Sequence, residues 1–329
     1  MSITIKVAIL GATGRTGSSI VSALLASSDP KFEVTGLIRP SSIDKSSTTD
    51  LAKRDVKVVV ADLHGPQDAL VSVLKGIDVV IVSISPPITS DEITLADAAL
   101  KAGVKRFVPN AWAPVAPPRG VMMLRESKED VLDHLKKIYL PFTHIDTGFW
   151  HEVMITRVPS GKLDKVAEFG IPFVIGEGNT PTAIIDIFDI GAYVARIIVD
   201  PRTLNRMVFA YGEVLTQKEA IATVERVTGE KVAFVEVAPE KVVKVAASNI
   251  SFLQKAIVQY YHIAYVRGDN QPAKARFLGY LDGKELYPDL KVKPLEESVR
   301  DGLAGRGYQD GAVGNPEFWT EIAEAFDVA

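Results

Sequence analysis

A doubly wound α/β fold, with a parallel sheet covered by helices on both faces, is predicted by three features of this chain. Short, mostly apolar runs of strand length alternate with stretches of helical spacing through the first half. A glycine-rich turn, Gly11-Ala12-Thr13-Gly14-Arg15-Thr16-Gly17, separates the first apolar run from the first helical one. Polar or proline-bearing stretches follow the carboxyl ends of successive strands, where sheets of this kind bind their ligands.

The elements follow in order. Residues 5–10 read as the first strand and 18–26 as a helix; 32–38 is the second strand, closed by Arg39-Pro40. A polar Ser/Thr-rich loop occupies 41–49. Strands at 56–61 and 79–83 flank a helix at 66–74, and the second of them runs out at Ser85-Pro86-Pro87. A helix at 93–102 stops at Gly103, ahead of the fifth strand at 106–109. An irregular stretch with four prolines reaches residue 120; a long helix at 121–137 and a sixth strand at 142–146 come next. Beyond residue 153 the alternation weakens. The sequence suggests an edge hairpin at 167–175, a turn at 176–180, a helix at 187–199 and a strand at 206–211. Thr216 and Glu219 form a capping-box pattern at the head of a helix over 216–228. A strand at 232–237 and a largely helical stretch at 239–262 lead into a helical, loop-rich last quarter. This ordering predicts a nucleotide-binding domain of residues 1–154 plus 183–212, and a smaller α/β substrate domain of residues 155–182 plus 213–329.

Composition narrows the function. Of the 329 residues, 47% are hydrophobic and 24% charged, the balance of a soluble globular protein. A net charge of −4 argues against a nucleic-acid partner, because phosphate contacts need clustered Lys and Arg. The absence of cysteine removes disulfides, thiolate chemistry and Cys-type zinc sites. His64, His134, His144, His151 and His262 lack metal-ligand spacing, so no metal site is expected. The chain enters its first strand without a secretory pattern, and its apolar runs are too short to span a membrane. A cytoplasmic protein is the expectation.

The glycine turn carries the chemistry. Between a strand and a helix, glycines let the backbone turn tightly and approach a pyrophosphate, and the helix N-terminus offers free N–H groups. Gly11, Thr13, Gly14, Arg15, Thr16 and Gly17 are therefore candidate phosphate contacts in a Rossmann-type domain, with G-x-x-G-x-x-G spacing. Arg39 stands just past the second strand, where the adenosine ribose lies. No Asp or Glu occurs between Thr35 and Ile43, so Arg39, helped by Lys45, favours the 2′-phosphate of NADP over the 2′-hydroxyl of NAD. Ser83 and Asn110 lie at the ends of the fourth and fifth strands and complete the candidate cofactor edge.

Lys128 lies about two turns into the helix after the proline-rich stretch. A lysine on a helix is ordinarily a solvated charge, but one buried near a nicotinamide can lower its pKa and donate a proton or hold a substrate oxygen. Four residues earlier stands Leu124, so the Tyr–Lys pair of ordinary short-chain dehydrogenases is absent. Trp112, Phe149, Trp150 and His151 are candidate substrate-pocket residues; His151 serves equally well as packing between the domains. Tyr260, Tyr261 and Tyr265 form an aromatic cluster that reads as core, from which one phenol could reach a pocket.

Taken together these residues resemble the isoflavone reductase-like and NmrA-like group of atypical short-chain dehydrogenases. The resemblance runs through the glycine turn, Leu37-Ile38-Arg39-Pro40, Gly103-Val104-Lys105-Arg106-Phe107-Val108-Pro109 and Glu126-Ser127-Lys128. It continues through Gly176-Glu177-Gly178-Asn179, Asp200-Pro201-Arg202-Thr203-Leu204-Asn205 and Glu285-Leu286-Tyr287-Pro288-Asp289, covering nearly the whole chain in order. It implies NADPH binding, hydride transfer, Lys128 as the active-site lysine and Arg39 as the 2′-phosphate ligand. The chain departs from the group after the fifth strand, where Asn110-Ala111-Trp112-Ala113 replaces a Ser-Glu-Phe-Gly element. The functional expectation is an NADPH-dependent reductase of a small aromatic or conjugated metabolite, acting as monomer or homodimer. The alternatives are a non-catalytic NADP(H)-binding redox sensor, and an isomerase or dehydratase without net redox.

Overall fold

The computed structural model describes residues 4–84, 89–167, 173–306 and 316–328. The first part alternates strand and helix: β1 (Thr4–Leu10), α1 (Arg15–Ala26), β2 (Lys31–Ile38), α2 (Ser46–Ala52), β3 (Lys57–Val60), α3 (Gln67–Leu74), β4 (Val79–Val82), α4 (Thr89–Ala102), β5 (Arg106–Val108), α5 (Met123–Lys137) and β6 (Thr143–Asp146). Then come β7 (Phe149–Trp150), α6 (His151–Met154), β8 (Phe173–Ile175), β9 (Thr182–Ile185), α7 (Ile187–Ile197), β10 (Arg206–Phe209), β11 (Glu213–Leu215), α8 (Gln217–Thr228) and β12 (Val235–Val237). The chain closes with α9 (Pro239–Ala246), α10 (Phe252–Tyr261), α11 (Pro272–Phe277), β13 (Tyr280–Asp282), α12 (Gly283–Leu286), α13 (Leu295–Leu303) and α14 (Pro316–Ala325).

The main sheet is parallel, in the order β3-β2-β1-β4-β5. A bridge between Phe107 and Phe142 carries it on to β6, which pairs with β10 and through it with β13, again in parallel. The apolar runs of β1 and β4 serve both faces. Val7, Ile9, Val79 and Ile81 pack against Ile20 and Leu24 of α1 and Ile190 and Val194 of α7. Ala8, Leu10, Val80 and Val82 face Leu70, Leu95 and Leu132 of α3, α4 and α5. Period-two burial on two covered faces is why these strands read as unbroken apolar runs.

A separate cluster, including Phe173, Val224, Val258, Val299 and Trp319, forms a second core beneath α8, α10, α13 and α14. Here β11, β9 and β7 make a small mixed sheet, and β8 pairs with β12. The capping box at Thr216 is formed: its hydroxyl accepts the Glu219 N–H, and the Glu219 carboxylate accepts the Thr216 N–H.

Several expectations need correction. The stretch expected as a polar loop folds as a 3₁₀ turn at Pro40–Ser42 followed by α2. There the Thr48 hydroxyl donates to Ser42 O and Leu51 reaches the core, so two buried positions outweigh a polar composition. Instead of an edge hairpin, β8 pairs in parallel with β12, sixty residues away; residues 168–172 of that expectation lie outside the described residues, as do Ser85-Pro86-Pro87. The stretch expected as largely helical over 239–262 holds two helices, because Ser251 caps a new one, its hydroxyl accepting the Gln254 N–H. That second helix ends in a wide turn closed by Arg267 N–H on His262 O. Among the described residues, no helix is long and apolar enough to cross a membrane.

Candidate active site

The glycine turn is built from backbone contacts that exclude side chains. Gly11 has φ +87°, and a Cβ there would stand 1.9 Å from Ser83 O. A Cβ on Gly17 would stand 2.0 Å from Gly11 O. These approaches seat α1 tightly against the ends of β1 and β4. The Gly14 N–H donates to Gly11 O, and Gly14 is the N-cap of α1 without a capping side chain. No acidic residue stands in the first turn, so its N–H groups and positive dipole end suit an anion. The residues present therefore fit a dinucleotide pyrophosphate. Thr13 is exposed beside this turn and Thr16 is buried under it. The Arg15 guanidinium lies 5.9 Å from the centre of the Trp150 ring. Arg39 is exposed at the end of β2 and Lys45 is exposed just ahead of α2.

Lys128 sits at the end of β5. Leu124, Arg125, Lys128 and Leu132 follow one helical face of α5, which turns toward the sheet. The half-buried Lys128 ammonium donates to Ala111 O in the turn after β5. In the same turn the Asn110 N–H donates to Glu92 Oε1 of α4 at 2.6 Å, and Asn110 Nδ2 donates to Ile84 O at 2.8 Å. Burial pushes Lys128 down to about 8 and Glu92 up to about 7; each also feels the other's charge.

Behind Lys128 lies a buried charge cluster. Arg125 donates to Glu129, to Asp146 at the end of β6, and to the Tyr280 hydroxyl. Burial alone would raise the Asp146 carboxyl, but Arg125 and His144 beside it hold it well below the usual carboxylate range. Leu124 packs against Ala256 and Ile263, with Tyr260 against the same cluster, so the side chain replacing the usual tyrosine serves the core.

An apolar cavity of about 40 Å³ opens next to this cluster, walled by Phe149, Val153, Thr156, Tyr260, Tyr261 and Tyr265 among others. Among the described residues, no charged side chain lines it. Phe149 stacks on Tyr265 at 6.0 Å and meets Tyr260 at 5.8 Å. Burial, reinforced by the Asp146 charge, pushes the Tyr260 phenol well up.

The other pocket candidates lie elsewhere. Trp112 is buried with φ +41°, and its Nε1 donates to Val82 O. Trp150 is half-buried, with no hydrogen-bond partner for its buried Nε1. His151 is fully buried: its Nδ1 meets Ser298 Oγ at 2.8 Å, and that hydroxyl donates to Asp186. Burial pushes His151 down to about 4. Glu92, Arg125, Asp146 and Tyr280 were not singled out from the sequence. The available signal was the charged pair at 125 and 129 on an otherwise apolar helix face. Among the described residues no cluster of His, Asp or Glu could hold a metal ion.

The fold and the phosphate cradle place the chain among the Rossmann-type, dinucleotide-dependent oxidoreductases. The NmrA-like family profile matches residues 4–298, and the chain belongs to that family. It is 42% identical to the asnovolin J 5′,6′-dehydrogenase of Aspergillus novofumigatus, over 93% of this chain and 98% of that one. It is 26% identical to an isoflavone reductase homolog of Solanum tuberosum, over 89% and 96% of the two chains. Among solved structures, the leucoanthocyanidin reductase–NADPH complex from Vitis vinifera superposes with a TM-score of 0.77 at 22% identity, covering 91% of this chain and 99% of that one.

Proposed function

We propose that this chain is an NADPH-dependent reductase of a small, uncharged aromatic or conjugated substrate. The observation that carries the reading is Lys128, half-buried and donating to Ala111 O in the turn after β5, on the helix whose Leu124 packs beside Tyr260 of an apolar cavity. When bound, NADPH supplies a hydride for an electrophilic carbon. Gly11, Thr13, Gly14, Arg15, Thr16 and Gly17 would hold its pyrophosphate, Arg39 and Lys45 its 2′-phosphate. Ser83 and Asn110 would border its far half. Lys128, as ammonium, orients or protonates the oxyanion that develops on the substrate. The apolar wall around Phe149 and Tyr260 suits an uncharged substrate edge, and Trp112, Trp150 and His151 are the remaining candidates for substrate contact.

We also infer the division into residues 1–154 plus 183–212 for the nucleotide and 155–182 plus 213–329 for the substrate. The separate second core supports it, with β13 returning to the main sheet. A cytoplasmic monomer or homodimer suits a cysteine-free chain of net charge −4.

The test is Lys128→Ala against a panel of uncharged aromatic enones and carbonyls, followed by NADPH absorbance. Turnover should fall by about 10²- to 10⁴-fold while NADPH affinity is kept. Full activity in the variant refutes the role of Lys128. The 42%-identical relative is named a dehydrogenase, which favours a second reading: the same site run oxidatively, with neutral Lys128 accepting the proton. NADP⁺ reduction with a saturated partner substrate would select it. Turnover without stoichiometric NADP(H) change would instead select an isomerase or dehydratase. Partner capture that depends on the cofactor's redox state, without turnover, would select a sensor.

A further inference from the structure

The turn after β5 is gripped from two sides. Glu92 of α4 accepts its Asn110 N–H, and one residue on, Ala111 O accepts the Lys128 ammonium from α5. We propose that Glu92 is a positioning carboxylate for Lys128: it holds the turn that receives the ammonium and adds its charge to that of Asp146 beside it. This rests on the reading of Lys128 given above, and it adds a residue that has no part in holding the cofactor.

Other charged and titratable groups also face Lys128. From β6, Asp146 gives the ammonium its strongest support, although its Oδ2 is shared by Arg125, Tyr280 and His144. Arg125, on the same helix, repels the ammonium and is itself tied to Glu129. From α10, Tyr260 contributes a phenol kept neutral by burial. Asp91, beside Glu92 in sequence, pairs with His64 at 3.6 Å. Glu92 is buried and, among the described residues, bonded to no lysine or arginine. Burial pushes its carboxyl up, and the Asn110 N–H and then the Lys128 charge pull it back down. A buried carboxylate so placed is costly unless a nearby cation compensates it, and the compensation is mutual.

The experiment needs no substrate. Competitive labelling with trace acetic anhydride, read by mass spectrometry on the Lys128 peptide across pH, reports the ionisation of its amine in the full-length protein. Glu92→Gln keeps an acceptor for the Asn110 N–H and removes the charge. The midpoint for Lys128 should fall by about one pH unit in that variant and stay near wild type in Glu92→Asp. An unmoved midpoint in Glu92→Gln overturns the proposal. Should Glu92→Gln fail to fold, the reciprocal reading decides. In Lys128→Met, the ¹³C-carboxyl titration of Glu92 should move upward, and no movement overturns the proposal equally. Neither readout involves turnover, so an active Lys128→Ala enzyme would refute the catalytic role while leaving this coupling standing.

Discussion

Arg125 and Asp146 form a buried ion pair that locks the middle of α5 to the end of β6, with neither side chain appreciably exposed. Glu129 and the Tyr280 hydroxyl complete the guanidinium's partners, so helix, sheet and the late strand β13 meet at one charge. Lys128 is one turn along the same helix. Rigidity behind it is what lets a flexible side chain hold a defined position at the turn after β5.

Removing one member of such a cluster strands the others. Arg125→Met leaves Asp146 and Glu129 buried without their cation and should cost about 3–5 kcal/mol of stability. Asp146→Asn leaves Arg125 still paired with Glu129, and should cost about 1–3 kcal/mol. Urea denaturation at pH 7 measures both. An Arg125→Met protein as stable as wild type would show that the pair does not brace the site.

The cradle glycines separate fold from binding. Ala ordinarily stabilises a helix relative to Gly by up to about 1 kcal/mol. At Gly17 the new Cβ would meet Gly11 O at 2.0 Å, so Gly17→Ala should lower the melting temperature and abolish stabilisation by NADPH. At Gly14 the nearest atom is 3.3 Å away, so Gly14→Ala should fold, with a melting temperature within a few degrees of wild type. Thermal melts with and without NADPH distinguish the two. Equal loss of stability in both would contradict the geometry of the turn.

The legible parts of this chain are those where local pattern and burial agree. Strands β1 and β4, buried on both faces, read as apolar runs, and Thr216 announced its helix through Glu219. Helix α2 was hidden because only Thr48 and Leu51 of its seven residues are buried. Strands β9 and β13 were hidden because three or four residues carry too little periodicity, and their partners lie far along the chain. Motif and context singled out Lys128, but Glu92 and Asp146 come to its neighbourhood from other elements, a meeting that spacing along one helix does not encode. Aromatic residues after a strand end were ambiguous for a related reason. Phe149 faces the cavity, whereas Trp112 and His151 turn inward to Val82 O and Ser298.

The proposed contact of Arg39 with the 2′-phosphate is tested by cofactor choice. Losing a charged hydrogen bond of about 1.5–3 kcal/mol weakens binding by roughly ten- to a hundredfold. Arg39→Ala should lose that much affinity for NADPH and little for NADH; Arg39→Asp should shift preference further toward NADH. Calorimetric titration with both nucleotides is the measurement. Parallel losses for both would mean that Arg39 does not meet the 2′-phosphate.

The proton inventory sets a pH limit. Burial pushes Lys128 down to about 8, so its ammonium is present below that pH and disappears above it. If the ammonium supports the oxyanion, kcat for reduction should be level below about pH 8 and fall about tenfold per unit above it. The oxidative direction, which needs the neutral amine, should show the opposite limb. A flat reductive profile from pH 7 to 10 would remove Lys128 from the proton balance.

The same reasoning applies to stability at His151. Its folded value is about 4, below the ordinary 6.5, so between those values the unfolded chain takes up a proton that the folded one refuses. The His151 contribution is therefore complete above about pH 6.5 and is lost as pH falls toward 4, by about 3 kcal/mol. Asp189, pushed up to about 6 by burial, works the other way: the folded state holds its proton, adding stability as pH falls from 6 toward 3.8. The two offset each other in the wild type and conceal both. His151→Asn removes one side of the balance. Whatever this variant loses at pH 7, its stability relative to wild type should improve by up to about 3 kcal/mol as pH falls to 4. Urea midpoints at pH 7, 5.5 and 4.5 read this directly. A constant gap between variant and wild type would mean that His151 is not held neutral by Ser298 and the surrounding core.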